Sequence, residues 1–122
     1  MSLFDQAEFD TFVSSRAGVT LVGQWDSRVA KVGGKVFCLL YDPAGEKRNI
    51  VFKVPEESFE ILTAIDGVGQ APYFARRQWV AVARHADLPE PDLRTYILRS
   101  YDTVARSLTR KLRSELGILL ER

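Results

Sequence analysis

Basic side chains near aromatic ones are the part of this sequence whose residue types and spacing most directly suggest chemistry. Lys47 and Arg48 fall in a predicted hairpin loop, and Arg76 and Arg77 precede Trp79. Lysine and arginine bind the phosphates of nucleic acids, and exposed hairpin loops can reach into the grooves of a duplex. The candidate nucleic-acid-binding residues are Lys47, Arg48, Arg76, Arg77, Arg84, Arg99, Arg106, Arg110 and Arg113.

The charge of the chain is nearly balanced in total but segregated along the sequence. The net charge is +1 and the pI is about 7.9, below the pI above roughly 9 of many nucleic-acid-binding domains. Residues 94–113 carry six cations and the single carboxylate of Asp102, whereas the two earlier predicted helices are acidic. The basic stretch is either a phosphate-binding surface or a solvated helix face that balances the acidic helices.

Aromatic residues near the basic ones support a different hypothesis. Trp79 alternates with Ala81 and Ala83, which favours a core position for Trp79 over a platform for base stacking. The alternative function is a protein-interaction or small-ligand-binding module, with a protein partner or a homodimer. Its ligand or partner cleft would lie beside the sheet and be lined by Tyr73, Phe74 and Trp79.

Sequence motifs of catalytic and cofactor sites are incomplete in this chain. Gly33-Gly34-Lys35-Val36 lacks the upstream glycine and the following hydroxyl residue of a phosphate loop. Gly67-Val68-Gly69-Gln70 lacks the third glycine of a dinucleotide-binding motif and is expected to be a loop. We therefore predict a non-enzymatic protein without a cofactor. An enzyme would need a polar pocket around Tyr73, Arg77, Tyr101 and Asp102.

Histidine and cysteine each occur once. His85 follows the predicted fifth strand and is expected in a surface loop, with Asp87 as a turn or capping residue. Cys38 lies within an apolar segment and is expected to be a small buried hydrophobic residue. A single cysteine excludes an internal disulfide and a thiolate metal cluster, and no metal site is predicted.

The composition is that of one ordinary globular domain covering residues 1–122. Hydrophobic residues make up 46% and charged residues 27% of the 122 residues, which argues against a disordered chain and a membrane protein. No apolar run approaches the roughly 18 residues of a transmembrane candidate. Because the N-terminus lacks the basic and apolar regions of a secretory signal, we expect a cytoplasmic protein with no membrane partner.

Local patterns predict the elements that position these side chains. Asp5 and Glu8 have the spacing of a capping box, and Phe4 can pack on Phe9 across it. The first helix is expected from Gln6 to Arg16. Segments typical of β-strands follow at Val19 to Trp25, Arg28 to Val32, Lys35 to Tyr41, Asn49 to Val54 and Trp79 to Ala83.

Turn residues predict how these segments connect. Gly33-Gly34 and the loop from Asp42 to Arg48 each predict a hairpin. Pro55 opens a second helix, which Asp66-Gly67 ends, and Pro89 opens a last helix that continues through Leu112. The predicted fold is α+β with two layers. An antiparallel β-sheet of about five strands is packed by N-terminal and C-terminal helices, in the order α-β-β-β-β-α-β-α.

Several segments, taken in order, resemble the MmcQ/YjbR family. The resemblance extends over nearly the whole chain, and its specificity comes from the ordered set rather than from one motif. Gln78 departs from it, because many members have histidine or glycine before the tryptophan, so no shared catalytic histidine is implied there. The matching segments are Val32-Gly33-Gly34-Lys35-Val36-Phe37, Lys53-Val54-Pro55, Ala71-Pro72-Tyr73-Phe74, Arg76-Arg77-Gln78-Trp79 and Ser100-Tyr101-Asp102-Thr103-Val104 through Lys111-Leu112.

The resemblance implies a fold and a function. The fold would be similar to frataxin (CyaY-like), with helices backing an antiparallel sheet. The function would be binding of double-stranded DNA through a "double wing" of hairpin loops. Together with the charge segregation, this makes a small DNA-binding protein the leading hypothesis from the sequence.

Overall fold

A computed structural model describes residues 2–24, 26–42 and 48–119. Within these ranges the chain forms one open antiparallel sheet of six strands together with four helices, which confirms the predicted α+β class. None of the helices in these ranges is long and apolar enough to cross a membrane. The elements are α1 (Gln6–Ser14), β1 (Val19–Gln24), β2 (Ser27–Val32), β3 (Lys35–Tyr41), β4 (Asn49–Lys53), α2 (Glu56–Thr63), β5 (Val68–Gln70), β6 (Trp79–Ala83), α3 (Glu90–Arg106) and α4 (Arg110–Leu116).

The strands follow the order β1-β2-β3-β4-β6-β5 across the sheet. The predicted hairpin between β2 and β3 is confirmed, and both of its turn residues have positive φ, 58° at Gly33 and 81° at Gly34. Glycine adopts this conformation without steric cost. Gly33 also meets a packing constraint, since a Cβ there would lie 2.6 Å from Cδ1 of Leu108. The predicted loop of the next hairpin, at residues 43–47, lies outside the described residues, as does Trp25.

Helices cover one face of the sheet, and the main core lies between the helices and that face. Phe9 of α1, Phe37 of β3, Phe52 of β4 and Ile97 of α3 are buried there. Cys38 is fully buried among them, as predicted, and burial raises the pKa of its thiol. Burial of these large side chains supplies most of the favourable free energy of folding.

The opposite face of the sheet, which we call the outer face, carries a smaller apolar cluster. Phe74 and Trp79 pack against it with their ring centroids 4.6 Å apart. Trp79 is half-buried there, so it packs on the outer face rather than in the main core. Strand register aligns one row of residues across all six strands, formed by Val22, Val29, Leu39, Val51, Ala81 and Gly69.

The segment Val68–Gln70 was expected to be a loop, and this expectation is wrong. It forms β5, which pairs with β6 through Val68 opposite Val82 and Gln70 opposite Val80. Val68 contributes to the main core. The strand has only three residues, and glycines stand within it at Gly69 and directly before it at Gly67. Alternation over so short a segment is a weaker signal for a strand than two glycines are for a loop.

The last helix was expected to be continuous to Leu112, and it is instead two helices. α3 ends at Arg106, and α4 begins after Thr109, whose side chain accepts a hydrogen bond from the N–H of Leu112 at 3.1 Å. This is an N-cap, a local alternative to continued helix that threonine favours. The break turns Leu108 onto the hairpin at Gly33. The predicted element order was therefore incomplete by one strand and one helix.

The start of α1 also differs from the prediction. Asp5 is the N-cap residue but makes no side-chain capping bond, and α1 ends at Ser14 rather than Arg16. The Asp5 carboxylate instead accepts from the N–H of Ser2 and pairs with Arg84, each at 3.3 Å. Charged partners from elsewhere in the fold thus replaced the local capping box. Phe4 and Phe9 are both buried in the main core.

Ser100 connects α3 to the sheet. Its hydroxyl donates to the carbonyl oxygen of Phe37 at 2.6 Å and accepts from the N–H of Lys53 at 3.0 Å. Pairing between β3 and β4 ends at Cys38 and Phe52, so the hydroxyl satisfies the next backbone groups of both strands. Ser100 is the buried polar residue of the described core, at 1% exposure. The serine therefore takes the place of one backbone rung of the sheet.

Tyr101 makes the neighbouring attachment. Its hydroxyl donates to the carbonyl oxygen of Ala17 at 2.7 Å, which holds the connection between α1 and β1. Its ring packs edge-on against Phe37 with a centroid distance of 5.4 Å. Burial raises the pKa of the Tyr101 phenol. Together with Ser100, it fixes the position of α3 along the sheet.

We predict that Ser100→Ala lowers the free energy of unfolding by about 2 kcal/mol, because it leaves a buried N–H and a buried carbonyl without their partner. Urea denaturation measures this value. Ser114→Ala, on the exposed side of α4, is the matched control and should stay within about 0.5 kcal/mol of the wild type. Equal effects of the two substitutions would contradict the role assigned to Ser100.

Candidate functional site

The basic residues predicted from the sequence fall in three separate regions of the structure. Arg48 and Arg84 lie where β4 begins and β6 ends, and those two positions adjoin because Asn49 is opposite Ala83. Arg76 and Arg77 lie in the turn before β6, and Arg99 and Arg106 lie on α3. Lys47 is outside the described residues. β4 is five residues long, so its two ends are about 13 Å apart.

Arg48 and Arg84 are held by carboxylates at the first of these regions. Arg48 donates from Nη1 to the carbonyl oxygen of Phe4 at 2.7 Å. Its Nε lies 3.0 Å from Oδ2 of Asp42, as an ion pair without the alignment of a hydrogen bond. Arg84 pairs with Asp5 at 3.3 Å. These contacts tie the N-terminal segment to β4 and β6, which gives both arginines a structural role.

Arg77 is also engaged in ion pairs. Its guanidinium bridges Glu56, at 2.7 Å from Nε, and Glu60 of α2. The hydrogen bonds that Arg77 donates to Glu60 and Glu56 raise the pKa of its guanidinium. The backbone of Arg77 has a φ of 64°, and its N–H donates to Oε1 of Gln70 at 2.9 Å. Arg77 therefore holds the turn against α2, whereas Arg76 is exposed with no ion pair among the described residues.

Tyr73 lies in the same turn and is fully exposed. Its φ is 68°, an uncommon backbone conformation for a residue with a side chain. It makes no ring contact within the described part of the chain, while Phe74 and Trp79 contact each other. The three predicted cleft residues thus divide into a packed pair and one projecting ring.

The arginines of α3 meet a lysine from the sheet. Lys53, at the end of β4, lines a cleft of about 280 Å³ with Arg99 and Arg106. We call this the basic cleft. The carboxylate of Asp102 is the acidic group in its lining, so the cleft has a net charge of about +2 at neutral pH. Its wall is completed by Val54, Pro55, Ser58, Tyr96 and Thr103.

Packed groups hold the cations of the basic cleft in position. The guanidinium carbon of Arg99 lies 5.5 Å from the ring centroid of Tyr96, a cation–π contact. Tyr96 in turn stacks on Phe52 of the main core at 6.2 Å. Lys53 is fixed at its backbone by Ser100. The charges therefore stand on rigid elements rather than on a loop.

Further cations surround the end of α3. Lys35 donates from Nζ to the hydroxyl of Ser107 at 3.2 Å. Arg113 of α4 donates from Nη1 to the carbonyl oxygens of Arg106 and Leu108, each at 3.0 Å, and so caps the C-terminus of α3. Arg110 is exposed on α4. Lys35, Lys53, Arg99, Arg106 and Arg113 together form what we call the basic end of the molecule.

Sequence reasoning missed Lys53 and Lys35 as members of this group. Lys35 begins β3 and Lys53 ends β4, each beside an unbroken apolar run, and a lysine at such a position commonly marks the solvated limit of a sheet. Only the crossing of α3 over the ends of β3 and β4 brings them beside its arginines. A usable signal was the Lys53-Val54-Pro55 segment, because the proline places the lysine directly before α2.

A second cleft of about 420 Å³ lies at the opposite end of the sheet. Asp26, Asp42 and Arg28 are its charged lining residues. Arg28 makes a two-bond ion pair with Asp10 of α1, at 3.1 and 2.9 Å, and its hydrogen bond to Asp10 raises its pKa.

The four residues that an enzyme would need do not share either cleft. Tyr101 is buried against Ala17, Arg77 binds α2, and Tyr73 projects from its turn. Of these four residues, Asp102 is the one that lines the basic cleft. His85 is exposed after β6. Among residues 2–24, 26–42 and 48–119, no three side chains of the types that bind metal ions come together.

Fold and cleft define the class of this molecule: an α+β protein with an open antiparallel sheet and a basic cleft beside its longest helix. A family model described as YjbR matches residues 14–103. The chain therefore belongs to the YjbR family, which confirms the resemblance found in its sequence. No curated protein matches the chain.

Solved structures support the fold. The crystal structure of Deinococcus radiodurans protein DR2400, a DUF419 domain, has a TM-score of 0.79 at 20% identity and covers 93% of this chain and 88% of that chain. A crystal structure of a protein from Pseudomonas syringae has a TM-score of 0.70 at 18% identity, with coverage of 82% and 98%. At these identities the likeness is one of fold.

We predict that Arg48→Ala lowers the free energy of unfolding by about 1–3 kcal/mol, since it leaves Asp42 without its charged partner. Arg76→Ala, which removes the same charge from an exposed site, should stay within about 0.5 kcal/mol of the wild type. Thermal or urea denaturation compares the two variants. A stable Arg48→Ala protein would argue that the ion pairs at this end of the sheet are dispensable.

Proposed function

We propose that the protein binds double-stranded DNA through the basic end, with Lys53, Arg99 and Arg106 contacting backbone phosphates. The observation that carries the proposal is the meeting of these three side chains in one cleft. Membership of the YjbR family supports it, because DNA binding is what the family resemblance implies. The proposal is narrower than the one drawn from the sequence, since Arg48, Arg77 and Arg84 are engaged by carboxylates.

Charge segregation also supports this proposal. Glu56 and Glu60 of α2 bind Arg77, and Glu8 of α1 binds Arg94 at 3.4 Å. The acidic helices thus satisfy part of the positive charge internally, while the basic end keeps an excess. A local excess of cations attracts a polyanion even when the net charge of the chain is near zero.

The remaining parts of the proposal come from the sequence. We propose a non-enzymatic protein of the cytoplasm that uses no cofactor. The frataxin (CyaY-like) arrangement belongs to the same proposal, with the family resemblance as its support. The predicted double wing includes the loop at residues 43–47, outside the described ranges.

A titration of duplex DNA at several salt concentrations tests the proposal. The slope of log affinity against log salt should fall by about 0.9 for each phosphate contact removed. We therefore expect Arg99→Glu combined with Arg106→Glu to reduce the slope by about 1.8. Arg76→Glu, at an exposed arginine with no ion pair among the described residues, is the control and should leave the slope unchanged. Absence of binding at about 50 mM salt would falsify the proposal.

A second candidate function is self-association through β1. This strand is at the edge of the sheet, and its sequence Val-Thr-Leu-Val-Gly-Gln contains no charge. Edge strands of monomeric proteins are commonly protected by charge, proline or a bulge. Val22 of this strand is 37% exposed and begins the apolar row of the outer face. An uncharged edge beside an apolar surface favours pairing with a second copy.

Sedimentation equilibrium tests this second candidate. If β1 pairs between copies, the wild-type protein should show a concentration-dependent dimer, and Val22→Lys should shift it to the monomer because a lysine at the edge opposes pairing. Tyr73→Ala, an exposed substitution outside β1, is the control. A monomer at all concentrations would reject self-association without bearing on DNA binding.

A further inference from the structure

We infer that the basic cleft is a binding pocket for a phosphomonoester, either a free sugar phosphate or nucleotide or the phosphorylated 5′ end of a nucleic acid. The inference rests on the proposed function, because both assign phosphate binding to the same side chains. It goes further by naming the form of phosphate.

The charge of the cleft matches a monoester better than a diester. Lys53, Arg99 and Arg106 contribute three positive charges and Asp102 one negative charge. A phosphomonoester carries about −1.5 to −2 at pH 7, whereas each phosphate along a duplex carries one negative charge. A net charge of about +2 is therefore neutralised by one monoester, but only about half neutralised by one backbone phosphate.

The donors of the cleft are suited to several phosphate oxygens at once. Arg99 presents a fork of N–H groups and Lys53 presents a compact ammonium, with Arg106 beside them in the lining. The hydroxyls of Ser58 and Thr103 also belong to the lining. A monoester offers three terminal oxygens as acceptors, so it can use donors from α2, α3 and β4 together.

The carboxylate of Asp102 indicates what kind of group is attached to the phosphate of the ligand. A carboxylate repels an ionised phosphate but accepts hydrogen bonds from hydroxyl groups. Its place among three cations therefore suits a ligand whose phosphate is attached to a hydroxylated group such as a ribose. The volume of about 280 Å³ lies just below the roughly 300 Å³ at which ligand pockets begin, so the ligand should be a small phosphorylated compound.

The cleft is also preorganised for binding. Arg99 is held over the ring of Tyr96, and Lys53 is anchored at its backbone by Ser100. The contact with Tyr96 restrains the side chain of Arg99, and a restrained side chain loses less conformational entropy when the ligand arrives. An ordinary solvated arginine face has neither of these constraints.

Isothermal titration calorimetry with ribose 5-phosphate and adenosine 5′-monophosphate tests the inference. We expect binding with a Kd below about 1 mM, and at least a tenfold loss in Arg99→Gln and in Lys53→Gln. Adenosine, which lacks the phosphate, should not bind. Arg76→Gln makes the same change of charge at an exposed site and should bind as the wild type does. No binding of either phosphate compound at several millimolar, or equal losses in Arg99→Gln and Arg76→Gln, overturns the inference.

The pH provides a further readout. Lowering the pH from 7.5 to 5.5 should weaken binding several-fold, because the second ionisation of a phosphomonoester has a pKa near 6. The charged groups facing the ligand are Lys53, Arg99, Arg106 and Asp102. Affinity that stays constant over this interval contradicts the preference for the doubly charged form.

Two DNA duplexes of one sequence distinguish the sources of the ligand. Tighter binding of the 5′-phosphorylated duplex than of the 5′-hydroxyl duplex identifies a nucleic-acid end. Equal binding of the two duplexes, together with binding of the free phosphate compounds, identifies a small molecule as the ligand. Either of these two results supports the phosphomonoester pocket. Failure of the 5′-hydroxyl duplex to bind at low salt counts against the proposed DNA function alone. Failure of the free phosphates with normal duplex binding counts against the pocket alone.

Discussion

The position of α3 across the sheet is the constraint on which the rest of this structure depends. The Ser100 hydroxyl replaces a missing backbone partner between β3 and β4, and Tyr101 binds the connection before β1. Both groups are polar and buried, so shifting α3 by one turn would leave several buried hydrogen-bonding groups unpaired. This cost fixes the register of the helix and therefore fixes which of its residues face Lys53.

The chain uses arginine in two physically different ways. Arg28, Arg48, Arg77 and Arg94 join elements that are distant in sequence by pairing with carboxylates, those of Asp10, Asp5, Glu56 and Glu8 respectively. Arg99 and Arg106 instead converge with Lys53 on one cleft, where a single carboxylate leaves positive charge in excess. The first use joins elements of the fold, and the second gathers cations at one surface. Total charge conceals this difference, because both kinds contribute equally to it.

Prediction from the sequence succeeded where the physical cause is local. The hairpin at Gly33-Gly34 follows from the positive φ that such a turn needs, and the burial of Cys38 follows from its apolar neighbours. Prediction failed where two local choices were close in energy. Thr109 begins a new helix because its side chain caps the chain there, and Val68–Gln70 becomes a strand because β6 offers it a partner.

The sequence by itself determined the class of fold, most of the strands, the family and the segregation of charge, because periodicity, turn chemistry and composition act over short stretches of chain. Tertiary structure alone decided which carboxylates the arginines of the other elements meet, and which cations are gathered in the basic cleft. Lys53 and Arg99 are far apart in sequence, and their meeting depends on the crossing of α3 over the sheet. Electrostatic attraction depends on distance in space, and packing of the core rather than local pattern sets that distance.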